Sequence, residues 1–130
     1  MFNTITLIGN IGQEVKYVPM KSGGEMAVMN MATHRYTGGS EKLTDWHKVV
    51  IFDPKKTEII KRFVKVGSRL LVKGSLTYEE WNDQHGQKRK TAQIEVGYRG
   101  EIVMMDSKAE SESLSTPTTN NQSVDLPSGF

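Results

Sequence analysis

Apolar and polar positions alternate with period two over most of the first hundred residues, which predicts strands. Residues 4–8 are β-branched and apolar and predict a first strand. Gly9 and Gly12 interrupt it, as glycines at a bulge or bend do, and the pattern resumes through Val15 and Tyr17 to Pro19. Residues 20–24 carry turn chemistry. Residues 26–32 predict a second strand with Met26, Val28, Asn30 and Ala32 on one face. Met and Ala are good helix formers, but the short length and flanking glycine pairs favour a strand. Gly38, Gly39 and Ser40 mark a loop. Residues 44–52 predict a third strand with two unlike faces. Thr44, Trp46, Lys48, Val50 and Phe52 share one, and Asp45, His47, Val49 and Ile51 share the other.

The apolar period lengthens to that of a helix once. Asp53 suits an N-cap and Pro54 the first helical position, and Ile59, Ile60, Phe63 and Val64 recur at helical spacing. Gly67 stands where a left-handed C-cap is expected. Residues 69–81 then predict a fourth strand, 82–87 a polar hairpin loop and 88–96 the returning strand. A last apolar segment covers 102–105. Three strands, one helix and a long hairpin is the order of the five-stranded OB-fold barrel, an all-β fold with its helix between strands three and four. Residues 1–106 are therefore expected to form one OB-fold domain. From residue 107 on, Ser, Thr, Asn, Gln and Pro dominate without apolar periodicity, so 107–130 reads as a disordered tail.

Composition narrows the chemistry. The hydrophobic share of 36% is low and agrees with a chain that is packed over only part of its 130 residues. No run of about 18 apolar residues is present, so no membrane span is expected. Cysteine is absent, which excludes disulfides and thiolate metal sites and is compatible with a reducing, intracellular setting. The strand pattern begins almost at Met1, so no secretory or transit segment is expected. Residues 1–106 hold 16 Lys and Arg against 12 Asp and Glu, a net +4, whereas 107–130 hold one against three, a net −2. A basic body with a mildly acidic tail is one pattern of nucleic-acid binders. His34, His47 and His85 lack metal-ligand spacing, and no phosphate loop or dinucleotide fingerprint occurs. Glu79 and Glu80, as strand neighbours, point to opposite faces. No catalysis, metal or cofactor is expected.

Three features point to single-stranded nucleic acid. The first is the stripe Trp46, Lys48 and Phe52, where bases can stack on rings and phosphates meet the cation. The competing reading makes Trp46 and Phe52 core, with Lys48 snorkelling outward. The second is Trp81 at the hairpin tip, where a ring has little core to enter. The third is the basic run Lys88, Arg89 and Lys90 across the same loop, which otherwise reads as a solvated charge run. Arg35 and Tyr36, at the end of the second strand, extend the surface. His47 faces away from the stripe and reads as a structural or interface histidine.

These residues also carry a resemblance. Thr44-Asp45-Trp46-His47-Lys48-Val49-Val50-Ile51-Phe52 resembles the T-E-W-H-R-V-V-L-F signature of bacterial and mitochondrial single-stranded DNA-binding proteins. Leu7-Ile8-Gly9-Asn10-Ile11-Gly12-Gln13 is similar to their L-V-G-N-L-G-Q. Phe63-Val64-Lys65-Val66-Gly67-Ser68 is similar to Y-L-R-K-G-S, and Trp81-Asn82-Asp83-Gln84-His85-Gly86-Gln87 to W-T-D-Q-S-G-Q. The resemblance covers residues 3–106. It implies a homotetramer that wraps single-stranded DNA without strong sequence preference in replication, recombination and repair, in the bacterial cytoplasm or an organellar matrix. Trp46, Phe52 and Trp81 are then the stacking aromatics, and His47 a tetramer contact.

The chain departs from that pattern in three places. Tyr36 stands near a family tryptophan that is missing here. Glu79 and Glu80 precede Trp81 where basic residues are usual, with Lys88, Arg89 and Lys90 as compensation. The ending Asp125-Leu126-Pro127-Ser128-Gly129-Phe130 keeps one acid of a D-D-I-P-F tip that docks replication and repair proteins. Altered docking by Asp125, Leu126, Pro127 and Phe130 is expected. The alternative reading is a primosome-type OB assembly protein, which would be a dimer that binds DNA weakly.

Overall fold

The computed structural model describes residues 1–105. Residues 106–130, with the expected tail and its tip Asp125, Leu126, Pro127 and Phe130, lie outside the described residues. Seven strands and one helix follow in order: β1 Ile5–Ile11, β2 Lys16–Pro19, β3 Glu25–Tyr36, β4 Lys42–Ile51, α1 Pro54–Phe63, β5 Arg69–Asn82, β6 Lys88–Val96 and β7 Glu101–Met104. The strands close in the order β1, β3, β4, β6, β5 and back to β1, with β4 and β6 parallel and the other neighbours antiparallel. This is the five-stranded OB barrel. β2 adds to β3, and β7 pairs with the first half of β5.

The barrel interior takes one side of each strand. Ala27, Met29 and Met31 meet Val49, Ile51, Leu70, Val72, Ile94, Val96 and Ile11 there, all buried. Unbranched methionines suit such a gap because they adapt to the branched side chains opposite. α1 closes one end by inserting Ile60 into this cluster. Asp53 caps the helix, its carboxylate accepting from Lys56 N–H at 3.2 Å, and Lys61 and Arg62 complement the dipole in the last turn. Lys61 bonds Glu25 and lies over the Tyr17 ring at 5.0 Å, tying the helix to β2 and β3. The Glu25 bond raises the Lys61 pKa, and burial raises that of Tyr17.

Two expectations are corrected. The helix ends at Phe63 with Val64 as an extended C-cap, and Gly67 (φ +94°) belongs to the following turn, closed by Ser68 N–H on Lys65 O at 3.0 Å. The helix's four apolar positions do not share one environment either. Ile60 and Val64 face the barrel, while Ile59 and Phe63 are exposed.

β1 pairs with β5 from Ile5 to Asn10 but with β3 only at Asn10 and Ile11. One edge of its first half therefore has no strand neighbour among the described residues. Beside that edge Ile8 and Leu71 are register partners, as are Leu71 and Val103, and all three point away from the core; Ile8 and Val103 are exposed.

Candidate nucleic-acid interface

Register places the sequence-predicted residues. Opposite one another on β3 and β4 stand Ala32 and Trp46, Asn30 and Lys48, Val28 and Val50, and Tyr36 and Lys42. The parallel register Val50 to Glu95 carries this outer face onto β6, and Glu79 with Thr91 and Trp81 with Arg89 carry it onto β5. Tyr36, Trp46, Lys48, Trp81 and Arg89 therefore share one face by strand alternation. Trp46 is 60% exposed and Trp81 47%, so neither is core. Val50, on the same face, is buried, as are Val49 and Ile51 on the interior side.

Trp46 is held flat by a residue that sequence reading took only for a bend. A Cβ on Gly12 would stand 2.2 Å from Cζ3 and 2.4 Å from Cη2 of the indole. The ring thus rests on bare backbone, and Gly12 N–H donates to Asn30 O at 3.0 Å. A Gly12→Ala substitution is expected to push the indole off its seat while the barrel stays folded, because the clash falls on the far end of one exposed side chain. A shifted Trp46 emission with an unchanged urea midpoint would report this.

Trp81 keeps its polar edge satisfied by donating Nε1–H to Thr91 Oγ1 at 2.8 Å, which leaves its ring face open. Its hairpin loop is built around Asp83. The carboxylate accepts from Gln87 N–H, Arg89 Nε and His85 N–H, each at 2.9 Å, and the Gln87 bond, followed by the Arg89 guanidinium, holds it below the usual carboxylate range.

The cations are distributed differently from the sequence expectation. Lys88, Arg89 and Lys90 do not act as one cluster, because alternation splits them. Arg89 lies on the Trp81 face and is paired with Asp83. Lys88 and Lys90 face the other way, and Lys90 Nζ is 3.8 Å from Glu80. Arg35 is also on the side opposite Trp46, paired with Asp45 at 2.8 Å. Lys48 stays on the outer face and reaches across β6 to Glu79 at 2.9 Å. On the same face Gln93 and Thr77 are register partners, and among the described residues their Oε1 and Oγ1 are buried without a partner.

Phe52 is half-buried at the far end of this face. It lines a cavity of about 540 Å³ with Met1, Phe2, Lys73, Glu95 and Arg99. Lys73 and Arg99 were missed in the sequence because β5 and the β6–β7 turn bring them to Phe52 from distant positions. His47, on the side opposite Trp46, is half-buried and within 2.8 Å of Thr33 Oγ1. It shares that side with the exposed Tyr78.

The model of the single-strand binding protein family matches residues 2–105. Proteins of Rickettsia felis and Rickettsia conorii, each called single-stranded DNA-binding protein, are 31% identical to the chain over 112 residues, covering 82% of it and 74% of each relative. A solved Plasmodium falciparum SSB, in complex with ssDNA, superposes with a TM-score of 0.76 at 27% identity, covering 82% of this chain and 96% of its own.

Proposed function

The chain belongs to the single-strand binding protein family, and on that premise we propose that it binds and protects single-stranded DNA during replication, recombination and repair. The observation that carries the reading is the single outer face holding exposed Trp46 and Trp81 together with Lys48. Exposed indoles offer stacking surfaces to any base, so the binding has no strong sequence preference. Tyr36, 70% exposed on the same face, takes the place of the missing loop tryptophan. Phe52, with Lys73 and Arg99 beside it, continues the path at the other end. Arg89 contributes from the Trp81 side, whereas Arg35 on β3 and Lys88 and Lys90 on β6 serve a strand that wraps onto the opposite side of the sheet. The family binds DNA and is not enzymatic. No described helix is long and apolar enough to cross a membrane.

The working form is a homotetramer. Two separate surfaces support this, as a tetramer with twofold symmetry requires. One is the open edge of β1 with Ile8, Leu71 and Val103, and the other is the side carrying His47 and Tyr78. The tip residues Asp125, Leu126, Pro127 and Phe130 recruit replication and repair proteins, weakly because a single acid remains. A peptide of residues 121–130 is expected to bind a tip-recognising partner less tightly than an acidic tip does, and equal binding would remove that difference.

The deciding experiment titrates the full chain with oligo-dT at two salt concentrations, following tryptophan fluorescence, with sedimentation of the same sample. Strong quenching, a modest salt slope and a tetramer mass are expected. Absence of quenching would overturn the DNA face. A dimer with weak binding would favour the assembly-protein reading.

A further inference from the structure

We infer that Asn30 and Gln13, the two amides beside Trp46, hold the edge of the base that stacks on that tryptophan, and that they serve every base. The inference rests on the proposed DNA face and deepens it by naming the groups that meet the base edge. Gln13, Asn30 and Trp46 line a shallow pocket of about 290 Å³, with room for one nucleobase. One wall is the indole, and the others are carboxamides. Asn30 Nδ2 donates to Gln13 Oε1 at 2.8 Å. Each amide has one acceptor oxygen and two N–H donors, so this bond leaves Asn30 Oδ1 and the Gln13 NH₂ to present an acceptor beside a donor.

The order of that pair is reversible. If both amides turn over, the bond re-forms from Gln13 Nε2 to Asn30 Oδ1, and the free donor and acceptor change places. All four bases carry a donor next to an acceptor on the Watson–Crick edge, but not in the same order. A side-chain amide locked by the protein would match one order and leave the other bases with unpaired polar groups, which costs affinity. Two coupled amides match either. Stacking explains indifference to the base's face, and the amide couple supplies indifference at its edge. The same short segment sets both, since Gly12 carries the indole, precedes Gln13, and is held by the Asn30 carbonyl.

The test compares short oligo-dT with the same strand built from difluorotoluene, which keeps the thymine shape but lacks its hydrogen-bonding edge. The full chain is expected to bind the thymine strand about three- to tenfold more tightly, the range of one neutral hydrogen bond. Gln13→Met and Asn30→Leu should bind the two strands equally. Gln13 is exposed, so its variant carries the test even where Asn30→Leu disturbs packing. Gln13→Met should also lower oligo-dT and oligo-dC affinity by the same factor, and loss for one base alone would overturn the reversible couple. Equal binding of both strands by the wild type, or discrimination surviving in both variants, overturns the edge contact and leaves the DNA face standing. Failure of the wild type to bind either strand overturns the DNA reading itself.

Discussion

A Trp46→Ala substitution should weaken binding of short oligo-dT by about 5- to 150-fold, the equivalent of about 1–3 kcal/mol for one stacked base. The indole is 60% exposed, and it rests on the Gly12 backbone rather than in the barrel interior. Its removal therefore opens no core cavity, and the urea midpoint should move by no more than about 0.5 kcal/mol of stability. Trp81→Ala should act in the same direction, at the cost of the bond to Thr91. Isothermal titration of both variants measures the loss. Unchanged affinity in both would place the strand on a different face of the barrel.

A Glu79→Lys substitution should do the opposite and tighten binding. In the resting protein Glu79 holds Lys48, a cation on the same outer face as the tryptophans, with Nζ at 2.9 Å. A phosphate has to compete with that carboxylate. Reversing the charge releases Lys48 and adds a second cation, so about two more phosphates are neutralised on binding. The slope of log affinity against log salt should steepen by about 1.4, and affinity at 50 mM salt should rise by about 10- to 50-fold. Fluorescence titrations over a salt series measure both quantities. A slope that stays at the wild-type value would mean that Lys48 never meets phosphate. The exposed Lys48–Glu79 pair stabilises the fold little, so the gain in binding carries little cost in folding.

Much of this was legible in the sequence. Alternation in residues 44–52 assigned Trp46 and Lys48 to one side and Val49 and Ile51 to the other, and the register agrees residue by residue. Asp53 and Pro54 marked the start of the helix because capping is a local rule. Its end was misread, because Gly67 makes a left-handed turn that resembles a cap but lies beyond an already terminated helix. The interface was legible only in its aromatics. Which carboxylate takes Lys48, which amide meets Asn30, and what lies under Trp46 depend on contacts between strands distant in the chain. A basic triplet such as Lys88, Arg89 and Lys90 looks like one patch on paper, and a pleated strand divides it. Gly12 announced a bend in the chain, but nothing local to it signals an indole from β4 lying across it.

Among the described residues, the edge of β1 without a strand neighbour leaves a single copy of the chain an unfinished sheet. Its free N–H and C=O groups are a template for whatever strand arrives. When that strand belongs to a second copy, folding and assembly become one equilibrium, and stability becomes a property of the population rather than of the molecule. For a dimer formed through this edge, each tenfold rise in concentration should add about 1.4 kcal/mol of apparent stability, read as a climbing thermal midpoint. A dilution series should trace the reverse. If copies join through this edge, the far end of the series holds subunits without that neighbour, and the edge that would build the assembly is then the edge most open to the wrong strand.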